Sequence, residues 1–78
     1  MKQKIRTKGT RVGNNLRNLR MDSNLTQEQV VAKMQLKGFS MTRSIYSQME
    51  SGLYNIRVTE LDAFVEIFHT DYNTVFKK

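Results

Sequence analysis

The stretch from Leu25 to Asn55 constrains this chain most. It reads L-T-Q-E-Q-V-V-A-K-M, breaks at Gly38, and resumes as M-T-R-S-I-Y-S-Q-M-E-S-G-L-Y-N. Thr26 and Gln29 have the spacing of a capping box, in which the hydroxyl and the amide each satisfy a backbone N–H of the other residue. Leu25 is placed to staple onto Val30, and Glu28 suits the positive end of the helix dipole. Val30, Val31 and Met34 form the apolar face, which Leu36 is expected to extend. Gly38 ends this helix by taking a positive φ. Phe39 and Met41 follow within a turn, and one or both should plug into the core. Thr42 is the expected cap of a further helix running to about Ser51. At about 100° per residue, its Tyr46, Met49 and Leu53 cluster within about 60°. Ser44, Ser47, Gln48 and Ser51 point the other way, and Arg43 sits on the flank. Such a helix packs on its own protein along one side and leaves a polar side with small groups free.

The flanking segments are also helical. Thr10 is the expected cap of a first helix to about Asp22, with Val12, Leu16 and Leu19 on one stripe. Gly13 either weakens that helix or allows close packing against a neighbour. Ser23-Asn24 is a stop signal. Thr59 is the expected cap of a fourth helix over 60–69, buried through Leu61, Phe64, Val65 and Phe68, with Ile67 alongside. Asp71 is the expected cap of a short fifth helix carrying Tyr72, Val75 and Phe76. No segment alternates over five or more residues and proline is absent, so the expected fold class is all-α, with five short helices. Residues 1–9 read as a flexible basic arm and 10–78 as one domain.

At 78 residues the chain supports one small core. Cysteine is absent, which excludes disulfide staples and thiolate metal sites. No apolar run approaches the roughly 18 residues a membrane helix needs. The N-terminus lacks the apolar segment of a secretory signal. A cytoplasmic location is the expectation. The charge is lopsided: Lys2, Lys4, Arg6, Lys8, Arg11, Arg17 and Arg20 all precede the first acid, Asp22. Such a cluster attracts polyanions through counterion release, although a solvated basic tail gives the same count.

Catalytic chemistry finds no support. No Ser/His/Asp set, paired carboxylates or Gly-rich phosphate loop stands out, and the expectation is a non-enzyme with no catalytic residue. His69 is the only histidine. It has no Cys or second His to share a metal, and reads as a helix C-terminal residue favoured by the dipole. No cofactor, metal site, or small-molecule ligand is evident.

The runs V-G-N-N-L-R-N-L-R-M-D-S-N-L-T-Q-E-Q-V-V-A-K-M, T-R-S-I-Y-S-Q-M-E-S-G and L-D-A-F-V-E-I-F-H-T-D-Y-N-T-V-F together cover residues 12–76, nearly the whole chain. They resemble the lambda-repressor-like helix-turn-helix domain of the Cro/repressor (XRE) type. The resemblance implies a compact five-helix bundle in which the second and third helices form the helix-turn-helix and the third lies in the DNA major groove. It implies base-reading positions at Arg43, Ser44, Ser47 and Gln48. Phosphate contacts are expected from Gln27, from the threonines Thr26 and Thr42, and from Tyr54, Asn55 and Arg57 in the loop after Gly52. Arg20 and Glu50 are expected to pair and brace the first helix against the third. The chain departs from the family's tightest members in two places: the connection from Gln35 to Met41 is longer, and Val31 stands where alanine is usual.

The function expected is that of a sequence-specific DNA-binding transcriptional regulator, a repressor in the Cro-like sense. Its partner is double-stranded DNA with a pseudo-palindromic operator. Two copies are expected on it as a homodimer, with Tyr72 and Phe76 of the fifth helix as the candidate joint. Arg43 suits a bidentate contact to guanine and Gln48 one to adenine. The rival reading is a protein-interaction module of the same fold, an antitoxin or adaptor whose polar helix face binds a protein.

Overall fold

The computed structural model describes residues 6–78. Five helices follow one another: α1 (Val12–Asp22), α2 (Gln27–Leu36), α3 (Arg43–Glu50), α4 (Val58–Ile67) and α5 (Tyr72–Val75). The all-α expectation holds. Leu16, Val30, Met34, Tyr46, Met49, Ile56, Leu61, Phe64 and Val75 form the inner core. The Phe64 ring joins Tyr46 at 5.7 Å and Phe68 at 6.0 Å, linking α3 to α4.

Helix starts follow short side-chain signals. Thr26 accepts from the Gln29 N–H at 3.1 Å while the Gln29 side chain accepts from the Thr26 N–H at 2.8 Å, the reciprocal box expected of that spacing. Thr42 accepts from the Ile45 N–H, and Asp71 from the Thr74 N–H. Two expected caps shift. Thr10 stands just outside α1, its hydroxyl accepting from the Val12 N–H at 3.3 Å, and Arg11 occupies the cap position. Thr59 lies inside the first turn of α4 rather than capping it. The helix begins at Val58 because buried Glu60 reaches back to accept from the Arg57 N–H at 2.8 Å.

The first four helices end alike. In each, a residue with positive φ follows the C-cap, and two backbone bonds close back onto the last turn, the Schellman arrangement. Gly38 and Gly52 take this position after α2 and α3. Asn24 (φ 57°) takes it after α1 and His69 (φ 51°) after α4. This is why α4 stops at Ile67, short of the expected residue 69.

Other expectations are corrected by position. Leu36 is 89% exposed. It lies two residues past Met34, about 200° round the helix, and so leaves the buried face. Leu53 is exposed as well, because the chain turns at Gly52 before the α3 periodicity can carry it inward. Tyr72 and Phe76 stack on each other at 6.1 Å on the surface, and only Val75 of α5 is buried.

Part of the segment read from sequence as an arm touches the rest of the fold. Thr7, assigned from sequence to the arm, is buried. Its hydroxyl donates to the Tyr54 carbonyl at 3.0 Å and accepts from the Ile56 N–H at 2.8 Å. Asn55 Oδ1 accepts from the N–H groups of Thr7 and Lys8, and the Gly9 N–H donates to the Gly52 carbonyl. Residues 7–9 are therefore tied to the loop between α3 and α4. Of the rest of the expected arm, Arg6 is exposed and residues 1–5 lie outside the described residues.

Two close fits position α3. Gly13 of α1 packs on the end of α3 so tightly that a Cβ there would stand 2.2 Å from the Met49 carbonyl oxygen. Of the two readings of Gly13, close packing is the one observed. The long connection from α2 to α3 is braced at both ends. Buried Met41 seats it in the core, and Gln35 Nε2 donates to the Met41 carbonyl at 2.9 Å. Phe39 packs on the core edge, and Lys37 pairs with Glu66 of α4 at 2.7 Å. No helix among the described residues is long and apolar enough to cross a membrane.

Candidate nucleic-acid interface

The amphipathic pattern of α3 turns its polar side outward, as the spacing requires. Arg43, Ser44 and Gln48 are exposed and Ser47 is half-buried. Together with Gln27, from the first turn of α2, these four line one shallow concavity of about 450 Å³. The N-terminus of α2 and the outer face of α3 thus form a single surface. Sequence alone nominated all five residues, and the fold brings them together.

A second and larger concavity, about 660 Å³, adjoins it through Gln27 and Arg43. Arg17, Arg20, Thr26 and Glu50 also line it. Its floor is an ion-pair network. Arg20 Nε donates to Glu50 Oε2 at 2.7 Å and its Nη2 to Oε1 at 3.2 Å, a bidentate pair. Arg20 Nη1 donates to the Leu25 carbonyl at 2.9 Å, and Gln27 Nε2 donates to Glu50 Oε1 at 3.0 Å. One carboxylate therefore ties together α1, α2 and α3. The Arg20 and Glu50 side chains are only 14% and 4% exposed, so water screens the pair weakly.

The electrostatics follow from this geometry. Burial pushes the Glu50 carboxyl up, but hydrogen bonds from Arg20 and Gln27, together with the charge of Arg20, more than offset it, and its pKa falls below the usual carboxylate value. The hydrogen bond to Glu50 raises the Arg20 pKa. Burial, then the neighbouring Glu50 carboxylate, drives the Tyr46 phenol upward. The Tyr46 hydroxyl is wholly buried, faces this pair, and lacks a partner in good hydrogen-bonding geometry. At neutral pH the floor is a fixed Arg⁺–Glu⁻ pair under a neutral phenol.

The remaining expected phosphate residues lie apart from these concavities. Thr42 uses its hydroxyl to cap α3. Tyr54, Asn55 and Arg57 are half-buried in the α3–α4 loop. Asn55 spends its carbonyl oxygen on Thr7 and Lys8, so it organises the loop.

Arg17, counted from sequence in the basic N-terminal cluster, was missed as a residue of this site, although it lies three residues before Arg20 and so on the same helix face. The bond between Gln27 and Glu50 was missed as well. Nothing local signals it, since the two residues are 23 apart in sequence. Among the described residues no group of three or more His, Cys, Asp or Glu side chains is placed to hold a metal.

A family profile described as "Helix-turn-helix domain" matches residues 11–75. The chain belongs to the helix-turn-helix domain family, in a form consistent with the lambda-repressor-like type, a class associated in general with DNA-binding regulators. Comparison with curated proteins and with solved structures gives no match.

Proposed function

We propose that this chain is a sequence-specific DNA-binding transcriptional regulator of the Cro-like, XRE type, acting as a repressor in the cytoplasm, with α3 laid in the major groove. The observation that carries this reading is the shared surface of Gln27, Arg43, Ser44, Ser47 and Gln48. It combines long hydrogen-bonding side chains with small serines that let a helix approach base edges closely. Arg43 reads guanine, and Gln48 reads adenine. Phosphates flanking the site are taken by the second hydrogen of the Gln27 amide, by the Thr26 hydroxyl, which is still able to donate, and by Thr42. Tyr54, Asn55 and Arg57 present the α3–α4 loop to the backbone on the other side.

The net charge of +6 supplies the salt-dependent part of the affinity. A single small domain buries about 600–1,000 Å² of protein surface on DNA. Two copies on half-sites about one helical turn apart would supply the missing specificity, so the operator is pseudo-palindromic and the bound form a homodimer. The test is selection of bound duplexes from random DNA, then titration of wild type and Arg43→Ala against the selected site and random sequence. Wild type should prefer the selected site, and Arg43→Ala should lose most of that preference. Equal binding of both proteins to both DNAs would overturn the reading.

A further inference from the structure

The end of α5 and the start of α1 enclose a groove on another part of the surface. It measures about 410 Å³ and is lined by Val12, Phe76, Thr10, Arg6, Arg11, Lys77 and Lys78. That size is in the range of sites that take a small ligand or a few side chains. Its composition is unusual for a molecule otherwise built around DNA contacts. The lining supplies an apolar wall, in which Phe76 is 40% exposed, and four cations, with no acidic side chain among the described lining residues.

The groove is preformed. Asn15 of α1 is buried, and its Nδ2 donates to the carbonyls of Val75 at 2.9 Å and Lys77 at 2.6 Å. A side chain from the first helix thus holds the last turn of the chain in place, so the walls of the groove do not have to be ordered on binding. On the outer side, Phe76 is backed by the Tyr72 ring at 6.1 Å, which holds it upright.

From these features we infer that the α1–α5 groove docks an acidic protein segment carrying an apolar anchor residue. The anchor packs on Phe76 and Val12, and flanking Asp or Glu side chains meet Arg6, Arg11, Lys77 and Lys78. Charge decides among the occupants. A second copy of this chain would bring a matching set of cations to the same patch, and like charges brought together are unfavourable. A second copy is therefore the poorer occupant of this groove. A DNA backbone would satisfy the cations but leave the apolar wall without a partner. An acidic amphipathic segment satisfies both.

The probe is a fluorescein-labelled peptide of twelve residues, with a central Phe-Leu pair flanked by Asp and Glu, titrated into the full chain and followed by anisotropy. A control peptide carries Lys at every acidic position. The acidic peptide should bind and weaken with added salt, and the Lys control should not bind. Phe76→Ala should weaken binding about tenfold or more, as expected from loss of an apolar anchor. Lys77→Glu combined with Lys78→Glu should weaken it by a similar factor through charge alone, without touching the core. Duplex DNA binding at the selected site should be unchanged in the Phe76→Ala variant. Failure of the acidic peptide to bind, or binding that survives both sets of substitutions, would overturn the proposal. So would a homodimer in sedimentation that Phe76→Ala dissociates, since that assigns the groove to a second copy. The same holds if the Lys77/Lys78 variant loses duplex DNA affinity while peptide binding is absent, since that assigns the cations to DNA.

Discussion

The floor and the rim of the candidate interface are built on opposite principles. On the floor, Arg20, Glu50 and Gln27 are joined by hydrogen bonds, and the ion pair is shielded from water. On the rim, Arg43, Ser44 and Gln48 are exposed. Pairing fixes where the three helices stand, and lack of cover leaves the rim able to exchange water for a ligand. Stability and recognition are therefore carried largely by different residues, with Gln27 belonging to both. Substitutions should therefore separate into two kinds.

The largest effect is expected on the floor. Glu50→Gln removes the charge that compensates buried Arg20, and breaking one member of such a pair costs about 3–5 kcal/mol. Because Arg20 keeps 14% exposure, the lower end of that range is expected. Denaturant unfolding measures it, and unchanged stability would remove the brace from the account. The pH dependence has a definite sign. The Glu50 pKa is depressed in the folded protein, so its contribution to stability is present above the unfolded carboxylate value, about 4.3, and is lost as pH falls through the folded value. Glu50→Gln should flatten the acid limb of a stability–pH curve. It should not abolish that limb, since Glu66 and Asp71 also have lowered pKa values.

Next comes the seam that carries the floor. Gly13→Ala places a methyl carbon 2.2 Å from a backbone oxygen of α3, which cannot move as a flexible side chain would. Overpacking of this kind costs about 1–3 kcal/mol, and the backbone partner argues for the upper end. DNA affinity should fall together with stability, because α3 shifts as a body. A Gly13→Ala protein of native stability would mean that α1 and α3 are less tightly fitted than described.

The rim should behave in the reverse way. Arg43→Ala is expected to cost about 1–3 kcal/mol of binding to its preferred site, while unfolding stability stays within about 0.5 kcal/mol of wild type. If thermal unfolding also falls steeply, the rim is structural and the division fails.

The sequence carried unequal amounts of this picture. Helices α2 and α3 were legible because Thr26, Gln29 and Thr42 act on their own first turns, and local signals do not need a fold to be read. The surface shared by Gln27 and α3 followed from the resemblance combined with the apolar face of Tyr46 and Met49. Three features were not legible, for one physical reason. Thr7 bonded to Tyr54 and Ile56, Asn15 holding Val75 and Lys77, and Gln27 bonded to Glu50 are all polar contacts between residues far apart in sequence. No periodicity marks them. Leu36 and Leu53 show the complementary limit. Both are apolar at plausible spacing, yet Leu36 lies about 200° round α2 from Met34 and the turn at Gly52 takes Leu53 off the buried face.

The smallest effect tests whether stability can be changed without touching recognition at all. His69 sits after α4 with φ 51°, a backbone conformation that costs a residue with a Cβ about 1–2 kcal/mol. Glycine there relieves the steric part but loses more entropy on folding. It also forgoes the interaction of the imidazole with the end of the helix, at most about 1 kcal/mol. The net expectation for His69→Gly is a gain of about 0.5–1 kcal/mol in unfolding free energy, within the usual yield of helix-cap optimisation. His69 is exposed and lines neither concavity of the interface. The affinity for the selected DNA should therefore be that of wild type. If the stabilised protein instead binds DNA differently, α4 and the recognition surface are coupled, and floor and rim are not the independent parts their geometry indicates.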